Sequence, residues 1–224
     1  MSKISARRLN MRQAGAAEYE KKRAEILQVA AEVFKEFGYE AATVDEIARR
    51  TNLDRASLYY YFKGKQELFR EMVGIATATN VAMAKEIADS DLPPTAKLRR
   101  LIVTLFESYE RHYPYLYVYL QEDMSRLAQD KSAWSTNIIN LNRRFDVAVT
   151  RIVAEGLKSG VFVSSGSPKL IVAGILGMCN WSHRWFKSNG RLHASEIAEI
   201  FADMVLNGIV SQKSSKARRS PSKG

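Results

Sequence analysis

The chain is short of the residues on which most catalysis, secretion and membrane insertion depend. Its one cysteine, Cys179, lies in an apolar stretch, so neither a disulfide framework nor a cysteine zinc site is available. That usage suits a reducing cytoplasm. Three histidines, His112, His183 and His193, are too widely spaced to suggest a metal site. No serine stands in a nucleophile elbow and no glycine-rich phosphate loop occurs, so neither hydrolase nor transferase chemistry is expected, and no cofactor or metal. The longest apolar run, Leu170–Cys179, is half of the roughly 20 residues that a membrane span needs, and it is interrupted by Gly174 and Gly177. The basic first residues are not followed by an apolar segment and cleavage site, which argues against a secretory signal. Prolines number five and glycines twelve, mostly between periodic segments, and no stretch alternates apolar with polar residues. A helical, cytoplasmic protein without strands is the expectation.

Acidic residues are missing from both ends. The net charge is +10, of which residues 1–17 contribute +4 through Lys3, Arg7, Arg8 and Arg12. Residues 211–224 contribute +5 through Lys213, Lys216, Arg218, Arg219 and Lys223, which leaves the centre almost neutral. Both ends lack the apolar side chains that offset ordering entropy, so a disordered arm (1–17) and tail (213–224) are expected. They act either as solubilising ends or as contacts to phosphates or a minor groove.

Between them the pattern is helical. Ile26, Val29, Ala30, Val33, Phe34 and Phe37 recur at i, i+3, i+4, i+7, i+8 and i+11, and Gly38 stands where a left-handed cap would end that helix. Thr43 with Glu46 three residues later reads as a capping box, opening a short helix to about Arg50 with Ile47 and Ala48 inward. Asn52 suits the left-handed backbone of a tight turn, and Asp54 then caps a second short helix, Arg55–Tyr61. Further helices are predicted over Gln66 to about Ala88, Thr95–Tyr113, Tyr115–Leu127, Ala133–Ser159, Pro168–Lys187 and Ser195–Gln212. The fold class is therefore all-α. A helix-turn-helix domain (18–65) is followed by a larger helical effector and dimerisation domain (66–212).

Two short capped helices joined by a tight turn have the anatomy of a DNA reader, with Ile47, Ala48, Leu53 and Leu58 locking the crossing. Arg55, Ala56 and Ser57 occupy the start of the second helix, where side chains meet base edges: Arg suits guanine, Ser suits any base, and Ala suits a thymine methyl. Thr43, Tyr59 and Lys65 lie at the margins and suit phosphates. The run Tyr59-Tyr60-Tyr61 cannot face one core, so at least one ring is exposed beside basic residues. An ordinary helical hairpin is the alternative reading of this pattern.

The residues from Ile26-Leu27 through Phe37-Gly38-Tyr39, then Thr43-Val44-Asp45-Glu46-Ile47-Ala48 and Leu58-Tyr59-Tyr60-Tyr61-Phe62-Lys63-Gly64-Lys65-Gln66-Glu67-Leu68, resemble the N-terminal domain of TetR-type transcriptional regulators. The usual turn glycine of that family is Asn52 here. The resemblance implies an all-helical homodimer, usually a repressor, that binds a palindromic operator on double-stranded DNA and releases it when an effector binds the C-terminal domain. It also implies phosphate contacts at Thr43, Tyr59 and Lys65 and base contacts at Arg55, Ala56 and Ser57.

The C-terminal region offers an excess of aromatic and methionine side chains. Phe106, Tyr109, Tyr113, Tyr117 and Met124 from two helices, with Phe145, Met178, Trp181 and Trp185 from later ones, form either a packed core or the wall of an apolar effector cavity. Arg184 and His183 interrupt an apolar stretch, so Arg184 meets an acid, solvent or an anionic ligand. Residues 177–208 loosely resemble the C-terminal region of TetR-type regulators of fatty-acid, sterol or aromatic-acid catabolism, which implies a hydrophobic effector or an acyl-CoA thioester. Gly174 and Gly177 permit close helix approach. With Ile197, Ile200, Phe201, Met204 and Val205 they form the expected dimer face. Two rival readings stay open at this point: a sensor of aromatic or cationic drugs, with Glu107, Glu110, Glu122 and Asp123 as acids, and a nonspecific architectural DNA protein.

Overall fold

The computed structural model describes residues 3–120, 129–187 and 190–209, with side chains between Gly15 and Gly208. Nine α-helices and one 3₁₀ turn, and no strand, are present among the described residues. They are α1 (Lys3–Ala41), α2 (Val44–Arg50), α3 (Arg55–Tyr61), α4 (Lys65–Asp89), α5 (Pro94–Arg111), α6 (Tyr115–Leu120), α7 (Ala133–Lys158), α8 (Pro168–Asn180), the turn Trp181–Arg184, and α9 (Ala194–Ile209). None of these helices is long and apolar enough to cross a membrane.

The chain divides into two compact units, Met1–Val73 and Gly74–Gly224, rather than at the expected boundary after Lys65. The reason lies in the first turns of α4, whose Leu68, Phe69, Met72 and Val73 are buried. Phe69 packs against Tyr39 with ring centres 4.7 Å apart. A second correction concerns the N-terminal arm. Its backbone is helical from Lys3 and continuous with α1, because Arg7, Arg8, Leu9, Met11, Arg12, Gln13 and Ala14 are all good helix formers. The tail 213–224 lies outside the described residues.

In the first unit, Ile26, Ala30, Val33 and Phe34 of α1 close a core with Ile47 of α2 and Leu58 of α3, all fully buried. Each of these side chains other than Ala30 contributes about 1.5–3 kcal/mol by leaving water. Phe37, expected on the same face, is 45% exposed instead, with the Arg50 guanidinium 5.5 Å from its ring. Gly38 adopts φ 77, which ends the regular helix where the sequence places its stop.

In the second unit, α5 buries Leu98, Leu101, Ile102, Leu105, Phe106 and Tyr109 along one face. It packs against α9 and α7, and α7 packs against α8. The α9 side of the first contact is small: Ala194, Ala198 and Ala202 are fully buried and let the helices approach closely. Arg99 ties the rim of that contact by pairing with Glu199 and Asp203. Lys97 is almost wholly buried, and its ammonium donates to Glu155 at 2.8 Å and to the Ala88 carbonyl at 3.2 Å. Pairing of this kind is what makes a buried charge tolerable.

Candidate nucleic-acid interface and ligand cavity

The helix-turn-helix is held by local hydrogen bonds that its sequence announces. The Thr43 hydroxyl accepts from the Glu46 amide at 3.2 Å and starts α2. The capping box is only half formed, because the Glu46 carboxylate turns to Arg49 and Arg50 instead. Hydrogen bonds from Arg49, then Arg50, hold that carboxyl down at about 2. Asn52 takes φ 54, the left-handed turn expected of it. The Asp54 carboxylate accepts from the Ser57 amide at 2.6 Å, starting α3 and lowering its own pKa. Thr51 is buried in the turn and donates its hydroxyl to the Ile47 and Ala48 carbonyls.

This frame leaves the start of α3 open. Arg55 and Ala56 are exposed and Ser57 is half-buried. The Arg55 guanidinium pairs with Asp45 at 3.1 Å, donates to the Tyr59 hydroxyl at 3.3 Å and lies 5.6 Å from that ring. Tyr60 is 72% exposed and Tyr59 41%, while Tyr61 stacks on Tyr19 at 5.0 Å. Lys65 is partly committed to the fold, since its ammonium donates to the Tyr39 and Glu40 carbonyls. Thr43, Arg55, Ala56, Ser57, Tyr59, Tyr60 and Lys65 therefore all belong to one unit, with α3 offering the largest exposed share.

Two residues that sequence reasoning passed over position this element. Lys22 donates to the Thr51 carbonyl at 3.2 Å, pinning the turn between α2 and α3. Arg23 donates to the Tyr61 carbonyl at 2.6 Å, pairs with Glu71 and lies 4.2 Å from the Phe62 ring. Cations near the last carbonyls of a helix also complement its dipole. Burial raises the Glu71 pKa, and the Arg23 charge opposes that shift.

The second unit holds a half-open cavity of about 300 Å³. Leu105 and Tyr109 of α5, Leu116 and Leu120 of α6, Phe145 of α7 and Leu176 of α8 supply apolar wall. Thr77, Asn80, Tyr119, Asn142, Asp146 and Asn180 supply polar groups. The Tyr109 hydroxyl donates to the Asn180 side chain, and Asn142 donates to the Tyr119 hydroxyl at 2.7 Å. Burial pushes the Tyr109 and Tyr119 hydroxyls above their usual pKa. An open groove of about 710 Å³ between α7 and α8 runs past Arg143, Val147, Arg151 and Lys169. Asp146 borders both spaces.

Comparison with known proteins decides the family. The model for "Tetracyclin repressor-like, C-terminal domain" matches residues 91–209, and that for "Bacterial regulatory proteins, tetR family" matches residues 26–72. The chain belongs to the TetR family. It is 27% identical over 197 residues to the HTH-type transcriptional repressor KstR2 of Mycobacterium tuberculosis, covering 88% of this chain and 97% of that one. The solved structure of that ketosteroid transcriptional regulator superposes with a TM-score of 0.71 at 28% identity, covering 84% of this chain and 95% of the other. The regulator PfmR from Thermus thermophilus gives 0.70 at 30% identity, with 81% and 97% covered. This chain is a helix-turn-helix transcription regulator of that family.

Of the effector residues expected from the sequence, only Tyr109 and Phe145 reach the cavity wall among the described residues. Phe106 is fully buried against Tyr109 and Phe201. Tyr113 and Tyr117 pack on Phe186, and the Tyr117 hydroxyl meets Ser182 at 3.1 Å. Met178 is half-buried on α8 but is not in the wall, and Met124 lies outside the described residues. Trp181, Arg184 and Trp185 are corrected. The predicted helix to Lys187 stops at Asn180, where the His183 ring meets the Asn180 carbonyl at 2.8 Å and the chain tightens into a 3₁₀ turn. The two tryptophans are then 58% and 46% exposed, and Arg184 lies over the Trp181 ring at 4.9 Å.

The expected dimer face divides in two. Ile200 and Met204 of α9 are more than half exposed, and Gly174 and Gly177 are open on α8. Phe201 and Val205 are intermediate, with Phe201 against Phe106 and Trp185. Ile197 is corrected: it is buried in the protomer's own core, on the face of α9 that meets α5. A helix with one stripe on its own core can offer only the adjacent stripe to a second copy.

Proposed function

We propose that this regulator is a repressor that binds a palindromic operator as a homodimer and releases it when a hydrophobic small molecule enters the α5–α8 cavity. The DNA half of the reading is carried by one observation: the first turn of α3 is exposed and polar while its last turns and flanking helices are pinned from within. Arg55, Ala56 and Ser57 read bases, Thr43, Tyr59 and Lys65 hold phosphates, and Tyr60 lies at the edge of the same surface. The exposed stripe of Ile200 and Met204 on α9 and the open glycines of α8 support pairing of two copies, which a two-fold operator requires.

The effector half rests on two adjoining spaces. An apolar chamber with a few polar groups is what a hydrophobic ligand needs, and the groove beyond Asp146 offers Arg143 and Lys169 to an anionic handle. An acyl-CoA thioester combines the two. The likeness to a ketosteroid regulator supports sterol-derived ligands as candidates too.

Fluorescence anisotropy with DNA from just upstream of the gene itself, at physiological salt and against random competitor, tests the first half. A nanomolar, competitor-resistant complex supports a specific operator. Equal affinity for random DNA would return the protein to the architectural class. Acyl-CoA thioesters and aromatic cationic drugs added to that complex test the second half. Release by the thioesters supports the reading, and release by the drugs alone replaces it.

A further inference from the structure

The cavity contains a group that no described part of the protein satisfies. Asn80 is only 9% exposed and lines the chamber, yet its amide makes no hydrogen bond to any described group. No buried polar atom is left sealed without a partner among the described residues. The Asn80 amide is therefore open to the chamber rather than enclosed in its wall. There it can pair with water or with a polar atom of a bound ligand.

The neighbouring polar groups share its character. Asn142 and Asn180 each commit one end of the amide to a tyrosine, at Tyr119 and Tyr109 respectively. The other end of each makes no hydrogen bond to a described group. An amide both donates and accepts, which matches a ketone or hydroxyl. A carboxylate wants cations, and no Lys, Arg or His lines this chamber among the described residues. Its one formal charge is Asp146, which repels an anion. Burial raises the Asp146 pKa.

We infer that the chamber selects an uncharged oxygen, ketone or hydroxyl, on an otherwise apolar ligand, with Asn80 as the specificity-determining side chain. This rests on the reading of the α5–α8 cavity as the effector site and specifies the enclosed part of that ligand. An anionic handle, where there is one, stays in the groove with Arg143 and Lys169. A cavity of about 150 Å³ admits benzene, so one of about 300 Å³ admits a two-ring skeleton.

Isothermal titration of the full-length protein with four probes of one skeleton tests the inference: 2-tetralone, tetralin, tetralin-2-carboxylate and 2-aminotetralin. The ketone is expected to bind at least tenfold more tightly than the hydrocarbon, and both charged probes more weakly still. Asn80→Leu is expected to erase the ketone's advantage over tetralin, with a thermal melt followed by circular dichroism showing that the variant is folded. The ranking on the wild-type protein decides the matter even where that variant is unstable. Equal binding of ketone and hydrocarbon overturns the selectivity while leaving the cavity as a ligand site. Preference for the carboxylate or the amine overturns it as well. If none of the four binds, the inference and the effector-site reading both fall.

Discussion

Lys65 closes the carbonyl end of α1, donating to the Tyr39 carbonyl at 2.8 Å while its ammonium lies 4.6 Å from that residue's ring. The residue assigned to a phosphate is thus also a tie between α4 and α1. Lys65→Ala is expected to weaken binding to every DNA sequence to a similar extent and to lower the melting temperature. Loss of a charged hydrogen bond costs about 1–3 kcal/mol. Unchanged melting with weaker binding would assign Lys65 to phosphate alone. Unchanged binding would remove it from the interface.

Arg55 is held by Asp45 and Tyr59 in the free protein, so it is aimed before DNA arrives. A base contact by arginine is worth about 1–3 kcal/mol of discrimination, or roughly tenfold to a hundredfold. Arg55→Ala is expected to lose that much on the operator and much less on random DNA. Both residues of the Arg55–Asp45 pair are well solvated, so melting should hardly change. Equal losses on the two DNAs would end its assignment as a base reader.

How much of this was legible in the sequence depends on the range of each interaction. Thr43, Asn52 and Asp54 act within three residues of themselves, and each does what its residue type announces. Lys22 and Arg23 act across 29 to 48 residues, and nothing local marks them as positioning groups. The cavity failed in a different way. Tyr109 and Phe145 stand out in the sequence as aromatics, whereas Asn80 and Asn142 do not, because polar residues on helices ordinarily face solvent. Trp181 and Arg184 were misplaced because a switch from α to 3₁₀ geometry rotates side chains, and the apolar pattern does not report it.

The exposed stripe of α9 can be tested without touching the core. Ile200 is 52% and Met204 58% exposed, whereas Ile197 is 4% exposed. Ile200→Glu and Met204→Glu are expected to give folded monomers in sedimentation velocity, with operator affinity reduced by at least tenfold. Ile197→Glu is expected to unfold the second unit instead, because an unpaired charge would enter its core. Intact dimers from both exposed-site variants would move the interface elsewhere.

Gly156 holds a place that no side chain can share. A Cβ built there would lie 2.1 Å from the ring of Phe162, which is 2% exposed and donates its amide to the Gly156 carbonyl at 2.9 Å. Gly156→Ala would normally favour a helix, so a loss of stability isolates the clash. About 1–3 kcal/mol is expected from overpacking. Adding Phe162→Leu should recover part of it, measured by urea denaturation. A stabilised Gly156→Ala would mean that the ring moves aside freely.

His112 links stability to pH in a direction that can be worked out. Burial, reinforced by the Arg111 charge, lowers its pKa below the usual value, and its Nδ1 lies 3.1 Å from the Ser108 hydroxyl. The unfolded chain, with a histidine pKa of about 6.5, therefore takes up the proton more readily than the folded one. The stability that the neutral ring supports is complete above that value and is lost as pH falls through the lowered folded value. Between about pH 7.5 and 5.5, above the range of ordinary carboxylates, wild type is expected to lose more melting temperature than His112→Gln. Parallel curves for the two proteins would show that the ring is solvated and free to take its proton in the folded state.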